Sequence, residues 1–318
     1  MDGVINVYKP AGMTSFACVS KVRRALGEKK AGHAGTLDPE ASGVLPVCVG
    51  KGTKCVDEFL NMPKRYVGEV TFGFKSDTCD IWGEKIDSLD VNDERLVSLN
   101  EESVIKALKS FKGEIEQIPP DYAAVKIGGV PAYKLARQGK QFEMRSRKVT
   151  VYDIELKSFV KDECRYPKAI IDIKCSRGTY IRSIFRDLGD ALGVMGCMSA
   201  LERTEYGFLK AEKGIKPDSI GALATVDLPY YTADFILKEH KKIVLDAKEE
   251  QKYRTGVKFS IADIESRVGG NVVDGEVLRV YTAKRVFLAT ASVSYDENGK
   301  CKLKNDKFFD CGEVMDFE

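Results

Sequence analysis

The segment 31–46, AGHAGTLDPEASGVLP, centres on Asp38 in a polar loop that is rich in glycine. Glycine permits backbone angles that other residues resist, and Pro39 biases Asp38 away from the helical region. The apolar run 44–49 that follows predicts a buried strand. A carboxylate fixed on a loop beside a buried strand can act as a catalytic nucleophile. The alternative is that Asp38 only caps the turn, as aspartate before proline often does.

A second candidate group is Arg182, which lies in a segment with the apolar spacing of a helix, 179–193. The apolar face of that helix is formed by Ile181, Ile184, Phe185, Leu188 and Leu192. Gly193 is suited to end the helix. No residue three or four positions from Arg182 is acidic, so the guanidinium lacks a partner on its own helix. Arg182 is therefore free to pair across the fold, although a solvated surface arginine would show the same pattern.

Composition favours a globular chain without a redox or zinc site. The chain has 318 residues, of which 43% are hydrophobic and 31% charged. It contains no apolar run of about 18 residues, and its first residues lack a signal-peptide pattern, so we expect no membrane contact. The nine cysteines include no CxxC pair, which argues against a zinc ribbon and favours reduced thiols in the cytoplasm. No convincing metal or cofactor motif is present.

The net charge of +2 hides an uneven distribution. Residues 1–54 carry eight Lys or Arg against four acids, and residues 134–148 carry six against one. Residues 80–102 carry two against eight. Basic patches that are offset by an acidic segment can form an RNA-binding face in a nearly neutral protein. Most charge runs are solvated faces, so the pattern by itself is a weak signal.

Periodicity and capping signals predict the elements that must position these groups. Strands are predicted at 4–8, 65–74, 148–160, 168–175 and 198–209, of which 148–160 and 168–175 are expected to form a hairpin across 161–167. Helices are predicted at 54–60, after Thr14 or Ser15, after Asn100 and at 179–193. Two apolar faces are predicted, one on strand 65–74 from Tyr66, Val70, Phe72 and Phe74, and one on the helix after Asn100 from Val104, Ile105, Leu108 and Phe111. We expect 117–148 to be a mobile, basic insertion and 241–318 to be a small β-rich barrel.

Seven sequence blocks resemble those of the TruB family of tRNA pseudouridine synthases, in the order and spacing of that family. The central block is GHAGTLDPEASGVLPVCVGKGTK (32–54). The others are GVINVYKPAGMTS (3–15), KRYVGEVTFG (64–73), SDTCDIWG (76–83), QIPPDYAAVKIGGVPAYKLARQG (117–139), RGTYIRSIFRDLG (177–189) and ALERTEYG (200–207). One such block would be weak evidence, whereas seven in order make chance similarity very improbable.

The resemblance implies an α+β protein with the pseudouridine synthase fold, a mixed and mainly antiparallel sheet flanked by helices. It implies a catalytic domain at 1–235, in which the insertion 117–148 clasps RNA, and a PUA-like RNA-binding domain at 241–318. The implied partner is the T-arm stem-loop of tRNA, with no membrane and no obligate protein partner. We expect a monomer in the cytoplasm.

The implied reaction is the isomerisation of a uridine, usually uridine 55 in this family, to pseudouridine. The bond between the uracil nitrogen and the ribose breaks, and the base turns and rejoins through carbon. Such a site needs a nucleophile, room for the detached base and a group that moves a proton, but no metal and no organic cofactor. The target base must also leave its stack.

By resemblance Asp38 is the nucleophile, Arg182 pairs with its carboxylate, and Tyr66 stacks on the base and takes part in proton transfer. Attack on the ribose and attack on the base ring both remain open. Five further positions are implied to bind substrate, namely His33, Lys54, Asp80, Tyr180 and Leu201. Of these, His33 would fill the space left by the flipped nucleotide and Lys54 would contact phosphate. Without the family pattern, Tyr66, Tyr180 and Leu201 would each be interpreted as packing residues.

Three alternative functions share part of this pattern. A guide-RNA-dependent pseudouridine synthase shares the GTLDP core. A tRNA-folding protein in which catalysis is secondary would need only basic patches and an RNA-binding module. A glycoside hydrolase needs two carboxylates that flank a bond, and Asp38 with Glu40 in one loop does not provide them.

Overall fold

The computed structural model describes residues 1–162, 165–222, 227–297 and 300–310. Cys164 and Cys311, and parts of the predicted turn at 161–167 and of the segment 241–318, lie outside these residues. The strands of the first part of the chain are β1 Gly3–Lys9, β2 Ala31–His33, β3 Ser42–Val49, β4 Lys64–Phe72, β5 Phe74–Ser76, β6 Lys85–Ser88, β7 Gly113–Gln117, β8 Lys126–Ile127, β9 Val130–Pro131, β10 Arg147–Val160, β11 Lys168–Cys175, β12 Gly196–Tyr206, β13 Leu209–Lys210 and β14 Tyr230–Thr232.

Most of these strands form one mixed, mainly antiparallel sheet. Its path is β14-β1-β3-β12-β4-β11-β10-β7, with β2 beside β3 and β13 beside β12. β3 and β12 run parallel, and the other pairs along this path run antiparallel. The α+β prediction is confirmed, and the predicted hairpin is present as β10 and β11, in which Val151 faces Cys175 and Val160 faces Lys168.

The helices are α1 Ser15–Ala25, α2 Val56–Asn61, α3 Glu94–Ser98, α4 Glu101–Leu108, α5 Ala132–Arg137, α6 Ile181–Ala191, α7 Ala233–Ile236, α8 Ala247–Arg254 and α9 Ile261–Val268. Two predicted capping residues are confirmed. The Thr14 side chain accepts a hydrogen bond from the Ala17 N–H, and Asn100 forms a capping box with Ser103. Gly193 follows α6 with a φ of +71°, which is suited to the end of a helix.

Four predicted segments differ in detail from the structure. Strand 198–209 is divided into β12 and β13 by a turn at Gly207, which has a φ of +58°. Strand 65–74 ends at Phe72 because Gly73 turns the chain with a φ of +103°, so Phe74 begins a separate hairpin with β6. Ile105 is 43% exposed rather than part of the buried stripe, because the short α4 buries only Val104 and Leu108. The predicted helix 54–60 is a 3₁₀ turn, Gly50–Cys55, followed by α2.

The C-terminal part has its own small sheet. Its strands are β15 Lys242–Val244, β16 Val277–Tyr281, β17 Phe287–Tyr295 and β18 Cys301–Phe308, in the order β15-β16-β17-β18. Their apolar side chains pack with residues of α8 and α9 in a separate core. A second cluster joins Tyr281, Phe287 and Phe309 to Val4 and Tyr206 of the large sheet. The two sheets are thus held together by an apolar interface.

The insertion 117–148 carries local structure of its own. β8 and β9 form a two-residue ladder, and α5 follows it directly. The base of the insertion is anchored in the large sheet, because β7 pairs with the first residues of β10. The insertion therefore projects from the ends of β7 and β10, the last two strands on the path of the large sheet.

Candidate active site around Asp38

The Asp38 loop is held at one end by a close backbone approach and at the other by a buried side chain. Gly43, which ends the loop, has a φ of +106°, and a Cβ there would lie 2.2 Å from the carbonyl oxygen of Arg203. Only glycine fits this close approach. On the other side, the Ser15 hydroxyl both accepts from the Leu37 N–H and donates to the Leu37 carbonyl, each at 2.9 Å. These contacts give the loop one shape.

Lys9 supports the same loop from below. It is fully buried, and its ammonium group donates to the carbonyl oxygens of Pro10 at 2.8 Å, Met13 at 2.6 Å and Pro39 at 2.9 Å. Burial lowers the pKa of Lys9 to about 8, against the opposing effect of nearby negative groups that include Asp38. Lys9 thus ties the loop to the end of β1.

Arg203 is the counterpart of Lys9 on β12. Its side chain is 1% exposed, and it donates to the carbonyl oxygens of Val44 at 2.7 Å and Gly35 at 3.1 Å. Its guanidinium also lies 4.8 Å from the centre of the Tyr206 ring. Because Val44 and Gly35 flank the loop, Arg203 holds the loop closed from inside the fold.

The central pair of the site is Arg182 and Asp38. Arg182 Nε lies 3.0 Å from Asp38 Oδ2, and Arg182 Nη2 donates to Asp38 Oδ1 at 3.2 Å. This is the two-point geometry that a guanidinium makes with a carboxylate. The arginine side chain is 7% exposed and the aspartate 39%, so the arginine is fixed in the protein while the carboxylate reaches the solvent.

Arg182 is itself anchored by the backbone. Nη1 donates to the Thr78 carbonyl at 3.0 Å and Nη2 to the Tyr122 carbonyl at 3.2 Å. Asp80 Oδ2 lies 3.7 Å from Nη1, and the Asp80 carboxylate accepts from the Thr78 hydroxyl at 2.7 Å. Burial raises the pKa of Asp80, an effect opposed by that hydroxyl and by Arg182. The predicted site residue Asp80 therefore lies beside the central pair.

A cavity of about 670 Å³ opens over the carboxylate. Its walls include aromatic rings and cations around this single described acid: Asp38, Lys64, Tyr66, Tyr122, Arg147, Lys148, Arg177, Tyr180, Arg182, Arg203 and Tyr206. Its volume and mixed walls suit a flat heterocycle attached to an anionic backbone. A larger cavity of about 820 Å³ lies beneath the insertion, but Asp38 is not in its walls.

Tyr66 lies on β4 in the wall of this cavity, opposite Arg203 of β12. It is 9% exposed, and burial raises its pKa, with the Arg203 guanidinium acting in the opposite direction. The phenol is therefore protonated at neutral pH and can donate a hydrogen bond. Together, Asp38, Tyr66, Tyr180 and Arg182 are the predicted site residues that the structure brings into one cavity, with Asp80 behind them.

The other predicted substrate-binding residues lie outside the walls of this cavity. His33 is half-buried in β2, and burial together with Arg203 lowers its pKa. The Lys54 ammonium donates to the Phe308 carbonyl and lies 5.8 Å from the Phe309 ring centre, at the contact with the small sheet. Leu201 faces Gly68 across β12 and β4, two pairs along from the pair of Arg203 and Tyr66. The RNA contacts of these three residues stay predictions.

Several cavity residues were not singled out from the sequence. Arg203 and Lys64 belong to two of the quoted motif blocks, ALERTEYG and KRYVGEVTFG, yet they look like ordinary charged strand residues there. Lys64 is 7% exposed and donates to the carbonyls of Leu60 and Met62, and burial lowers its pKa to about 8. Arg147 stands at the end of the basic run. The sequence signal that could have identified such residues is a charged residue at an alternate position of a strand, where its side chain shares a face of the sheet with Tyr66.

Within the described residues, no group of three His, Cys, Asp or Glu side chains is arranged to hold a metal ion. In the same part of the chain, no helix is long and apolar enough to cross a membrane.

Comparisons with known proteins agree on one family. The sequence model for the N-terminal domain of TruB family pseudouridylate synthases matches residues 23–181. The tRNA pseudouridine synthase B of Clostridium acetobutylicum is 38% identical over 294 residues, which are 92% of this chain and 96% of that protein. The namesake protein of Limosilactobacillus reuteri is 39% identical over 287 residues, which are 88% of this chain and 94% of that protein.

Solved structures give the same fold. A chain in the crystal structure of a Cbf5-Nop10-Gar1 complex is 26% identical, with a TM-score of 0.66 over 96% of this chain and 84% of that chain. A chain of an H/ACA RNP bound to a substrate RNA that contains 2′-deoxyuridine is 23% identical, with a TM-score of 0.64 and the same coverage. The latter similarity concerns the fold alone.

Proposed function

The chain belongs to the TruB family of pseudouridylate synthases, and from this membership we propose that it isomerises uridine 55 in the T-arm loop of tRNA to pseudouridine. The observation that carries the proposal is the Asp38–Arg182 pair inside a cavity with aromatic and cationic walls. As a member of this family the protein is an isomerase. The curated relatives at 38% and 39% identity are both tRNA pseudouridine synthases B, which supports tRNA as the substrate.

In the proposed reaction, a flipped uridine enters the cavity and Asp38 attacks as the nucleophile. A covalent bond to Asp38 divides the isomerisation into two easier steps. The bond between N1 and C1′ breaks and the bond between C5 and C1′ forms, so C5 loses its proton and N1 gains one. Arg182 holds the carboxylate oriented toward the reacting atoms through its two contacts. The same carboxylate can act on the ribose or on the base ring.

Tyr66 is proposed to contact the base and to take part in moving the proton. Its ring lies in the cavity wall and its phenol is kept protonated by burial. Tyr180 offers a second aromatic surface in the same wall. Stacking on such rings compensates an extruded base for the neighbours that it leaves in the RNA.

The proposed RNA footprint extends beyond the cavity. We assign residues 1–235 to catalysis, with the basic insertion 117–148 clasping the T-arm, and 241–318 to a PUA-like RNA-binding domain. In the latter, Arg254, Lys302 and Lys304 line a cavity of about 550 Å³ on the open edge formed by β18. Because such contacts go mainly to phosphates, binding should weaken as salt rises.

We propose that the protein works without a guide RNA or a protein partner, as a monomer in the cytoplasm. The Cbf5 chain of similar fold is found in a complex with Nop10 and Gar1. The higher identity of this chain to the two curated tRNA pseudouridine synthases B favours the self-sufficient alternative. Purified protein and one unmodified tRNA transcript are therefore expected to suffice for turnover.

The experiment that tests this function is tritium release from a tRNA transcript labelled at C5 of uracil. The wild type should release tritium, and a transcript with cytidine in place of uridine 55 should release none. Asp38→Asn should release none and still bind the transcript, since phosphate contacts dominate affinity. Glu40 carries a carboxylate two residues further along the loop and lies outside the cavity walls. Glu40→Gln is therefore the matched control and should stay active.

Each outcome decides between functions. Release from the wild type and from Glu40→Gln only would establish the isomerase and its nucleophile together. No release from any protein, with binding intact, would contradict the proposal and favour a tRNA-folding protein. Release that requires an added guide RNA would place the chain with guide-dependent enzymes.

A further inference from the structure

The base of the basic insertion is bound to the start of the helix that carries Arg182. β7 enters the insertion and β10 leaves it, and Gln117 at the end of β7 faces Arg147 at the start of β10. Both side chains reach across to Tyr180, the N-cap residue of α6. The two ends of the insertion therefore meet at a residue that lines the active cavity.

Gln117 fixes the backbone of Tyr180. It is 1% exposed, its Oε1 accepts from the Tyr180 N–H at 2.8 Å, and its Nε2 donates to the Tyr180 carbonyl at 3.0 Å. α6 makes no side-chain cap contact at its N-terminus, so Gln117 supplies the anchor from another element. Because Arg182 follows Tyr180 by only two residues, this anchor also fixes the backbone position of Arg182.

Arg147 fixes the ring of Tyr180 from the cavity side. Its guanidinium lies 4.5 Å from the ring centre, and its Nη2 donates to the Gly178 carbonyl. A guanidinium stacks well on an aromatic face and keeps its planar edge free for further hydrogen bonds. The stack thus holds the ring while the cation remains in the cavity wall.

Arg147 has one donor that is unused among the described contacts. Its Nε is buried and has no hydrogen-bond partner among the described residues. Leaving a buried donor unpaired costs roughly 1–3 kcal/mol, so a turn of the guanidinium toward an acceptor in the cavity would stabilise the side chain. The cavity that Arg147 lines is also the one into which Asp38 projects.

We propose that Arg147 has two roles: it binds a phosphate of the flipped nucleotide, and it positions the Tyr180 ring against the base of that nucleotide. The inference rests on the proposed function, because it takes an RNA nucleotide as the occupant of the cavity. A phosphate oxygen is the acceptor that matches a guanidinium edge. Binding of the RNA backbone to Arg147 would then also fix the Tyr180 ring in the wall of the base pocket.

Three substitutions separate the two roles. Arg147→Ala removes both the charge and the stacking surface. Arg147→Lys keeps the charge and loses the planar group, and Arg147→Gln keeps a planar group and loses the charge. Lys112→Ala is the matched control, because it removes a surface cation whose partner is Asp153, at a distance from the cavity walls.

The first readout is RNA affinity as a function of salt, measured in an Asp38→Asn background with a T-arm stem-loop. Arg147→Ala and Arg147→Gln should lower the slope of log Kd against log salt by about 0.7–0.9, the value for one lost phosphate contact, and raise Kd about tenfold at low salt. Arg147→Lys and Lys112→Ala should keep the wild-type slope. An unchanged slope in Arg147→Ala would overturn the phosphate contact.

The second readout is the rate of a single turnover at saturating RNA, in proteins with an active Asp38. Arg147→Lys should be slowed about tenfold while its affinity is retained, since a tilted Tyr180 misplaces the base. A wild-type rate in Arg147→Lys would overturn the positioning role. Melting temperatures near that of the wild type would exclude misfolding as the cause of either change. Tritium release by the wild type in the same assay supports the proposed function. If the wild type releases tritium but the Arg147 variants behave otherwise than expected, only this inference fails.

Discussion

Arg182 meets Asp38 through two parallel contacts, Nε to Oδ2 at 3.0 Å and Nη2 to Oδ1 at 3.2 Å. The same guanidinium is fixed by the carbonyls of Thr78 and Tyr122. The carboxylate therefore takes its direction from an arginine that the rest of the fold has already immobilised. A cation that could not make both contacts would leave the Asp38 carboxylate free to rotate.

Arg182→Lys tests this orientation. Lysine keeps the positive charge but cannot form the two-point contact, so kcat should fall about 100-fold, while KM for the tRNA changes little. Arg186→Lys, one turn further along α6, is the control and should stay near the wild-type rate. Equal kcat values in the two variants would show that only the charge of Arg182 matters.

Tyr66→Phe separates stacking from proton transfer. The ring stays in the cavity wall, so RNA affinity should be retained, whereas loss of the hydroxyl should slow a single turnover by about 10²–10⁴-fold. Burial raises the pKa of Tyr66 above its ordinary value of 10.0, so the wild-type rate should show no ionisation of this phenol below pH 10. A wild-type rate in Tyr66→Phe would restrict the residue to stacking.

Local sequence patterns predicted the parts of this site that depend on neighbouring residues in the chain. The glycines and Pro39 predicted the shaped loop around Asp38, and the apolar run 44–49 predicted β3, which is buried as expected. The spacing of Ile181, Ile184 and Phe185 predicted α6, and all three are buried. These features follow from the backbone preferences and periodicity of short segments.

The residues that hold the loop depend on long-range pairing and could not be found in this way. Arg203 stands between Glu202 and Thr204, a context typical of a solvated strand, and only the pairing of β12 with β3 and β4 buries it. Gln117 similarly acquires its role from a helix 63 residues away. The pairing of Arg182 with Asp38 came from family resemblance, since its own helix indicated only that a partner was missing.

Arg203→Met tests the loop clamp. Methionine fills a similar volume but leaves the Val44 and Gly35 carbonyls without their donors, so the free energy of unfolding should fall by about 2–4 kcal/mol. Hydrogen exchange of the loop amides, including that of Leu37, should rise at the same time. The measurements are urea unfolding and amide exchange by mass spectrometry.

Arg65→Met is the matched comparison for that experiment. Arg65 lies on the adjacent strand β4 and pairs with Asp172 at a partly exposed site, where its side chain is 33% exposed. The Asp172 side chain is 11% exposed and accepts two hydrogen bonds from Arg65, so loss of the pair should cost about 1 kcal/mol. This is less than the loss expected for Arg203→Met, and the exchange of the Asp38 loop should be unaffected. Similar losses in the two variants would contradict the clamp.

Lys9 provides a test through pH. Its pKa is about 8 in the folded protein and 10.5 by its ordinary value, so between these values the unfolded chain holds a proton that the folded protein has released. Unfolding then takes up a proton, and the free energy of unfolding contributed by Lys9 should rise as pH increases from about 8 to 10.5. Lys9→Met lacks this titration. The stability of the wild type relative to Lys9→Met should therefore grow across that window, as measured by urea unfolding at pH 7.5, 8.5 and 9.5. A difference that stays constant with pH would mean that the three carbonyl acceptors keep the ammonium protonated in the fold and that burial does not lower its pKa.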